Sequence, residues 1–396
     1  MVAKRFLLPW LAGLVLLGPA CGAASGTPSA AASGAPVEIP VIVAQSGSAA
    51  FLGKEETQAL QLLQKVENQQ GGIGGHPIQF TFYDDQTTPA VDVQLANQVI
   101  AKKASVILGP SVVGSCNAIA PLLTSGPVMY CLSPGIHPKE GSYAFTSAVS
   151  TVDMAEALIS YFKGKGFTRL GVITSTDASG QDAEAGIKDV LGRSQYSSVK
   201  AESYEHFNVT DVSVDAQISR IKAGNPQAVI AWSTGTGIAT VFKAIQRSGL
   251  DVPVGTTNGN MINDQMAQYA SFLPKELLIP TTEWPAYASL PKGKVKDAQK
   301  AYFDAFNAAG TKPDQGQALA WDPGLLVVDA LRHKGASATA AQIHDYLEHL
   351  KGFVGINGEY DFTASPQRGL TVKQVVVARW DAAGQAWQLV SGPGVS

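Results

Sequence analysis

The sequence has few cysteines, few histidines and no excess of charge of either sign. Only 3 of its 396 residues are cysteine, and 29 basic side chains stand against 32 acidic ones. A nucleic-acid-binding protein usually shows a basic excess, and a disordered chain has fewer apolar residues than the 45% found here. The 40 glycines lack the period of a collagen. These absences leave a globular protein that does not bind nucleic acid, and its length predicts two domains or two lobes.

Catalytic and metal-binding motifs are also missing. The sequence has no Gly-x-Ser-x-Gly elbow, no phosphate loop ending in Gly-Lys-Ser/Thr, and no Gly-x-Gly-x-x-Gly after the first predicted strand. The six histidines lack ligand partners at metal spacing: His76, His137, His206, His333, His344 and His349. We therefore predict a protein that is not an enzyme, with no catalytic residue, no metal and no cofactor.

Long apolar runs are absent after the first residues. Lys4 and Arg5 precede residues 6–17, which are mostly apolar but fewer than the ~20 needed to span a membrane. Residues 1–21 therefore read as a signal peptide. Residues 22–36 are rich in Ala, Ser, Gly and Pro, a composition that predicts a flexible tether.

Cys21 stands directly before this tether. A cysteine in that place resembles a bacterial lipoprotein signal, although Gly18 occupies the position where such signals usually carry Leu. Two alternatives are open: lipidation of Cys21, or cleavage after Ala23 or Ala24 that releases a soluble protein. Both predict a periplasmic protein, and the first anchors it to a membrane.

The two remaining cysteines form an even pair in a chain bound for an oxidising compartment. Cys116 falls at a predicted helix start and Cys131 at the end of the next predicted strand, so in a parallel sheet both lie toward one edge. We expect a disulfide between them. The alternative is two free, buried thiols.

Strand-like and helix-like segments alternate from Val37 onward, which is typical of parallel sheets covered by helices. The alternation restarts near residue 148 and implies a second sheet. The C-terminal third differs, with a helix predicted at 317–331 and strands at 358–362, 372–380 and 387–390 that alternate like antiparallel edge hairpins. The sequence thus predicts an α/β protein with two sheets.

Several motifs then occur in a fixed order along nearly the whole mature chain. They are residues 71–78, Tyr83-Asp84-Asp85, residues 107–110, Ser133-Pro134-Gly135, residues 176–180 and residues 352–362. This ordered set resembles the substrate-binding proteins of branched-chain amino-acid-type ABC transporters, the leucine-binding-protein-like class I periplasmic binding proteins.

The resemblance implies two doubly wound parallel-sheet lobes joined by three crossovers, which close on a ligand like a trap. It divides the chain into lobe 1, residues 37–147 with 283–366, and lobe 2, residues 148–282 with 367–396. It implies a monomer that delivers a small molecule to ABC permease and ATPase subunits at the membrane. A ligand sensor on the same fold is the rival function.

The predicted cleft lacks acidic side chains at the places where amino-acid-binding relatives hold the ligand's ammonium. Thr151 and either Thr257 or Asn258 stand there instead, while Val113 and His137 replace the family's carboxylate-binding Ser and Thr. An ammonium buried without a counter-charge costs several kcal/mol. We therefore expect an aromatic or other carboxylate without an amine, with a branched-chain or other aliphatic amino acid as the alternative.

The expected ligand contacts lie in loops after the predicted strands, where helix starts and backbone N–H groups face a cleft. They are Leu52, Val113, Gly114, Ser115, Gly135, Ile136 and His137 in lobe 1, and Thr151, Ser179, Gly235 and Thr257 in lobe 2. Trp284, near a predicted crossover, is the first candidate for stacking on a ring. Plain turns for the loops and core packing for Trp284 are the alternatives.

Overall fold

The protein contains two sheets of α/β type. A computed structural model describes residues 33–394, so the predicted signal peptide and Cys21 lie outside the described residues. The first sheet has the strand order β2-β1-β3-β4-β5, and its pairings are all parallel. Its elements are β1 (Val37–Val43), α1 (Ala50–Gln69), β2 (Ile78–Asp84), α2 (Pro89–Ala101), β3 (Val106–Leu108), α3 (Val113–Ile119), β4 (Val128–Cys131) and β5 (Ala144–Thr146).

The burial of the interior strand β1 shows that this sheet is covered on both faces. Five consecutive residues at its end, 39–43, are all buried, although neighbouring side chains on a strand point to opposite faces. Burial on both sides is typical of a parallel sheet between helix layers. The carboxyl ends of the strands are therefore the part of the sheet that is left for a ligand.

The second sheet has the strand order β14-β13-β10-β9-β8-β6-β7. Strand β13 is antiparallel to both β10 and β14, and the other pairings are parallel. Its elements are α4 (Thr151–Gly164), β6 (Arg169–Ser175), α5 (Ala178–Gly192), β7 (Lys200–Phe207), α6 (Asp215–Ala223), β8 (Ala228–Trp232), α7 (Gly237–Ser248), β9 (Val254–Gly255), α8 (Asn263–Tyr269), β10 (Leu277–Thr281), β13 (Val376–Asp381) and β14 (Ala386–Leu389). Two parallel-sheet lobes with an antiparallel edge hairpin are confirmed.

Between β10 and β13 the chain returns to the first lobe. This segment holds α9 (Lys294–Ala308), α10 (Gln315–Lys334), α11 (Ala340–Glu348) and the hairpin of β11 (Lys351–Gly355) and β12 (Gly358–Asp361). Helix α10 packs on α1, where Gly324 faces Leu60 and Leu63. The chain thus passes between the lobes three times. The residue boundaries given above for the lobes stay a prediction.

Some element bounds differ from the predicted ones for local reasons. Helix α10 starts at Gln315 because Asp314 and Gln317 form a reciprocal capping box. Strand β13 starts at Val376 because residues 372–374 form a 3₁₀ turn after Thr371. Strands β5 and β11 were not predicted from the sequence, since three to five residues give almost no periodicity to detect.

The predicted disulfide is present. Cys116 in α3 and Cys131 at the end of β4 are bonded, with their Cα atoms 6.0 Å apart. Both residues are fully buried in the apolar core of the first lobe. The bond ties the start of a cleft-lining helix to the strand that leads into the loop at residues 133–137.

Each lobe brings one helix into direct contact with the end of the strand before it. A β-carbon added to Gly53 in α1 would overlap the carbonyl oxygen of Ala44, and one added to Gly180 in α5 would overlap that of Ser175. Only glycine allows this approach without displacing the backbone. The same construction therefore holds a helix start against the cleft in both lobes.

Candidate ligand-binding site between the lobes

The loop after β4 belongs to lobe 1 and lies directly against lobe 2. A β-carbon on Gly135 would lie 2.6 Å from Val113 Cγ2, 2.8 Å from Asp182 Oδ2 and 3.3 Å from Thr151 Oγ1. Gly135 and Val113 belong to the first lobe, and Asp182 and Thr151 lie on helices of the second. The structure thus brings together three of the residues predicted from the sequence, Val113, Gly135 and Thr151.

A direct side-chain bond crosses the cleft beside this point. His137 Nε2 lies 2.5 Å from Asp182 Oδ1, with side-chain exposures of 59% for the imidazole and 12% for the carboxylate. His137 was predicted as a receiver of the ligand's carboxylate, and the structure gives it a carboxylate of the protein as partner. The predicted alternative, an imidazole bonded to its own backbone, is not what the structure contains.

A buried arginine supports the same loop from behind. The guanidinium of Arg368, which is 8% exposed, donates to the carbonyl oxygens of Pro134 at 3.3 Å, Ala148 at 2.5 Å and Ile136 at 2.6 Å. Burial lowers the pKa of Arg368 to about 10, and the charges of Asp153 and Asp182 act in the opposite direction. Arg368 therefore stays a cation at neutral pH.

Backbone contacts join the lobes at a second place. The N–H of Thr236 donates to the carbonyl oxygen of Ser48 at 3.1 Å, next to the predicted residue Gly235. The predicted residue Leu52 is buried in a small apolar cluster with Ile262, the residue directly before α8. Near the start of α3, a β-carbon on the predicted residue Gly114 would lie 3.9 Å from Ala178 Cβ at the start of α5. Leu52, Gly114 and Gly235 thus lie at the lobe interface.

Four predicted side chains have partners inside their own lobe. Ser115 is completely buried beside the Asp92 carboxyl group, and Ile136 belongs to the apolar core of the first lobe. Ser179 Oγ lies 3.0 Å from Thr234 Oγ1, and Thr257 Oγ1 accepts a 3.4 Å bond from the N–H of Gly259. These residues shape the loops, and their role in contacting a ligand stays a prediction.

The preference for Trp284 as a stacking residue is corrected by the structure. Its indole is buried in an aromatic cluster with Tyr302 and Phe303, and its Nε1 donates to Gln315 Oε1 at 3.1 Å. Trp321 belongs to the same cluster, and Trp232 is buried in strand β8. Core packing, the alternative given above, is the role of all three tryptophans.

The expectation of a cleft without an acidic side chain is wrong. The predicted contacts lie in the loops after strands, whereas Asp182 lies one turn into α5. Asp182 is three residues from Ser179 and so lies on the same helix face. This spacing is the sequence signal that indicates the position of Asp182. Arg368 has no such signal, since it lies 234 and 232 residues from the carbonyls of Pro134 and Ile136.

The fold and this cleft define a two-lobe ligand-binding protein, and sequence comparison agrees. Residues 36–385 match the model of the family described as periplasmic binding protein. The chain therefore belongs to the periplasmic binding protein family. Among curated proteins none matches the chain.

Solved structures with the same fold cover nearly all of the chain. An extracellular ligand-binding receptor from Rhodopseudomonas palustris HaA2 aligns with a TM-score of 0.78 at 20% identity, over 90% of this chain and 100% of its own. A leucine-binding protein from Thermotoga maritima MSB8 aligns with a TM-score of 0.77 at 17% identity, and the alignment covers 90% of this chain and 99% of that protein. An ABC transporter solute-binding protein of R. palustris in complex with benzoate aligns with a TM-score of 0.75 at 18% identity, and the alignment covers 91% of this chain and 97% of that protein. The chain has the class I periplasmic binding protein fold.

Membrane-spanning helices were sought along the described residues. Residues 33–394 contain no helix with the length and apolar character needed to cross a bilayer.

Proposed function

We propose that the protein is the extracytoplasmic solute-binding subunit of an ABC importer, which captures a small organic carboxylate by lobe closure. The permease and ATPase subunits of the importer are its proposed partners, and the protein acts as a monomer. The observation that carries this proposal is the cross-cleft meeting of the loop at residues 133–137 with α5 through His137 and Asp182. A ligand favours closure only if it contacts both lobes, and this is where both lobes supply side chains.

The charge behind the loop supports an anionic ligand. Arg368 carries a buried positive charge. Its described hydrogen bonds are donated to neutral carbonyl groups of the loop and of the crossover at Ala148. A buried cation without a directly bonded anion raises the affinity of its surroundings for negative charge. Leu52 and Val113 add buried apolar surface, as small-molecule sites usually do. One protein of the same fold holds benzoate.

An aliphatic amino acid is the second candidate ligand. Asp182 supports it, because one oxygen of this carboxylate is buried and none of the described residues forms a hydrogen bond with it. Two proteins of the same fold are a leucine-binding protein and a branched-chain amino-acid binding protein in complex with isoleucine. A ligand sensor on the same fold is the remaining alternative to a transport protein. A permease gene next to the gene for this protein would favour transport.

We further propose that the protein is exported to the periplasm and that a lipid on Cys21 anchors it to a membrane. Labelling with a radioactive fatty acid tests the anchor, with Cys21→Ser as the control. Incorporation into the wild type alone supports lipidation, and equal absence from both leaves cleavage to a soluble protein.

A thermal-shift screen of carboxylates against amino acids tests the proposed ligand class. A ligand that binds only the folded state raises stability by RT ln(1 + [L]/Kd), so binding appears as a higher melting temperature. We expect shifts with carboxylates and weaker shifts for His137→Ala. His206→Ala is the matched control, since His206 Nε2 also lies 2.5 Å from a carboxylate, that of Glu184, but within one lobe. Shifts with amino acids and none with acids lacking an amine would contradict the carboxylate proposal.

A further inference from the structure

We infer that Asp182 determines ligand specificity by accepting a hydrogen bond from an O–H or N–H group of the ligand. The inference rests on the proposed receptor function, and it holds for either of the two candidate ligand classes. The ligand is then a small carboxylate that also carries a hydroxyl or an ammonium group.

The free oxygen of Asp182 is the first observation. Oδ1 is bonded to His137, whereas Oδ2 is buried and has no hydrogen-bond partner among residues 33–394. An acceptor that is buried without a donor costs free energy, and a charged acceptor costs more than a neutral one. A donor supplied by a ligand removes this cost, so binding of such a ligand is favoured over binding of one that supplies none.

The position of Oδ2 is the second observation. It faces the Cα of Gly135, where a β-carbon would lie 2.8 Å away, and Val113 and Thr151 lie around the same point. Residues of both lobes therefore surround this oxygen. A ligand group that reaches it contacts both lobes at once, which is the condition for stabilising closure.

The neighbouring cation does not satisfy the free oxygen. The described hydrogen bonds of Arg368 end on the carbonyls of Pro134, Ile136 and Ala148, although its charge interacts with Asp182 through space. The site thus has a positive group behind the loop and a negative group in front of it. Such an arrangement suits a ligand with an anionic end and a donor end.

A set of ligands with one carbon skeleton tests the inference by calorimetric titration. The three probes are 4-methylpentanoate, 2-hydroxy-4-methylpentanoate and leucine, which differ only in carrying hydrogen, hydroxyl or ammonium beside the carboxylate. Benzoate and 4-hydroxybenzoate form a second, aromatic pair. We expect the wild type to bind at least one donor-bearing member about 10- to 100-fold more tightly than its parent acid, the usual effect of a hydrogen bond to a charged group.

The variants assign this preference to Asp182. Asp182→Ala loses the preference, and Asp182→Asn, which keeps an oxygen for the contact with His137, reduces it. Asp189→Ala is the control on the same helix, because Asp189 is 59% exposed and pairs with Arg193 away from the cleft. This control keeps the wild-type preference.

Three results overturn the inference in distinguishable ways. A wild type that binds parent acids and donor-bearing acids equally tightly refutes it and leaves the receptor function intact. An equal loss of all ligands in Asp182→Ala, with the preference kept in Asp182→Asn, assigns Asp182 to lobe closure instead of recognition. A wild type that binds none of the five probes overturns the proposed ligand class and the inference with it.

Discussion

His137 and Asp182 are bonded to each other from opposite lobes, with 2.5 Å between Nε2 and Oδ1. The two residues are 45 positions apart in the chain, and no hydrophobic pattern relates them. Their contact joins the loop after β4 in lobe 1 to helix α5 in lobe 2.

Removing this contact shifts the lobes toward the open arrangement. A partly exposed pair of this kind contributes about 0.2–1 kcal/mol, which changes the ratio of closed to open molecules by up to about fivefold. We expect His137→Ala to increase the radius of gyration measured by small-angle X-ray scattering. His206→Ala removes a similar pair inside one lobe and leaves the radius unchanged. An equal radius for both variants and the wild type argues against a role in closure.

Replacing Arg368 destabilises the protein in a graded way. Arg368→Met leaves three carbonyl groups without their donor, and we expect a loss of about 2–4 kcal/mol in the free energy of unfolding. Arg368→Lys keeps the positive charge but lacks the planar guanidinium group, so we expect a smaller loss in the free energy of unfolding than for Arg368→Met. Denaturant titration measures both, with Arg220→Met as the control because Arg220 is 58% exposed and pairs with Glu205 at the surface. A loss no larger than that of the control contradicts the structural role.

The two ends of helix α5 respond in opposite directions to the same substitution. In Gly180→Ala the new methyl group overlaps the carbonyl oxygen of Ser175, so we expect a loss of about 1–3 kcal/mol in unfolding free energy. Gly192 is the last residue of the helix, and no described atom outside its chain neighbours and its own helix backbone lies within 4 Å of an added β-carbon. Gly192→Ala therefore leaves stability unchanged or raises it by up to about 1 kcal/mol. Thermal unfolding of the two variants tests this contrast, and an equal effect of both substitutions is the result that contradicts it.

Glu56 makes stability depend on pH. Its side chain is fully buried, and this burial raises the pKa to about 8, while the hydroxyl of Ser111 counteracts the shift and the charge of Asp85 adds to it. The folded state therefore holds the proton more tightly than the unfolded chain does. The protonated Glu56 therefore stabilises the folded state. This stabilisation is fully present below the ordinary pKa of a glutamate and is lost as the pH rises toward 8.

Glu56→Gln imitates the protonated side chain and removes this dependence. We expect the variant to match the wild type near pH 4.5 and to exceed it by up to about 4 kcal/mol at pH 8, the free energy that corresponds to this pKa shift. Urea unfolding at the two pH values gives the comparison. A stability difference between the two proteins that is the same at both pH values shows that Glu56 does not carry the effect.

The sequence supported the prediction of the two lobes and of the disulfide because their signals are local. The buried run of β1 and the cysteine pair each produce a pattern within a few residues or one strand-helix unit. Val113, Gly135 and Thr151 were predicted from loops after strands and a crossover, and the structure brings these three together. Trp284 was misassigned because an indole near a crossover gives the same sequence signal whether it faces a ligand or packs on Tyr302.

The sequence by itself determined an α/β protein with two parallel-sheet lobes and a disulfide between Cys116 and Cys131, since periodicity, turn chemistry and cysteine count are properties of short segments. Only the tertiary structure decided the charge of the cleft. Asp182 and Arg368 are ordinary polar residues along the chain, and they meet the loop at residues 133–137 because folding places segments 45 and more than 200 residues away around it. An electrostatic interaction depends on distance in space, and that distance is set when the two lobes pack together.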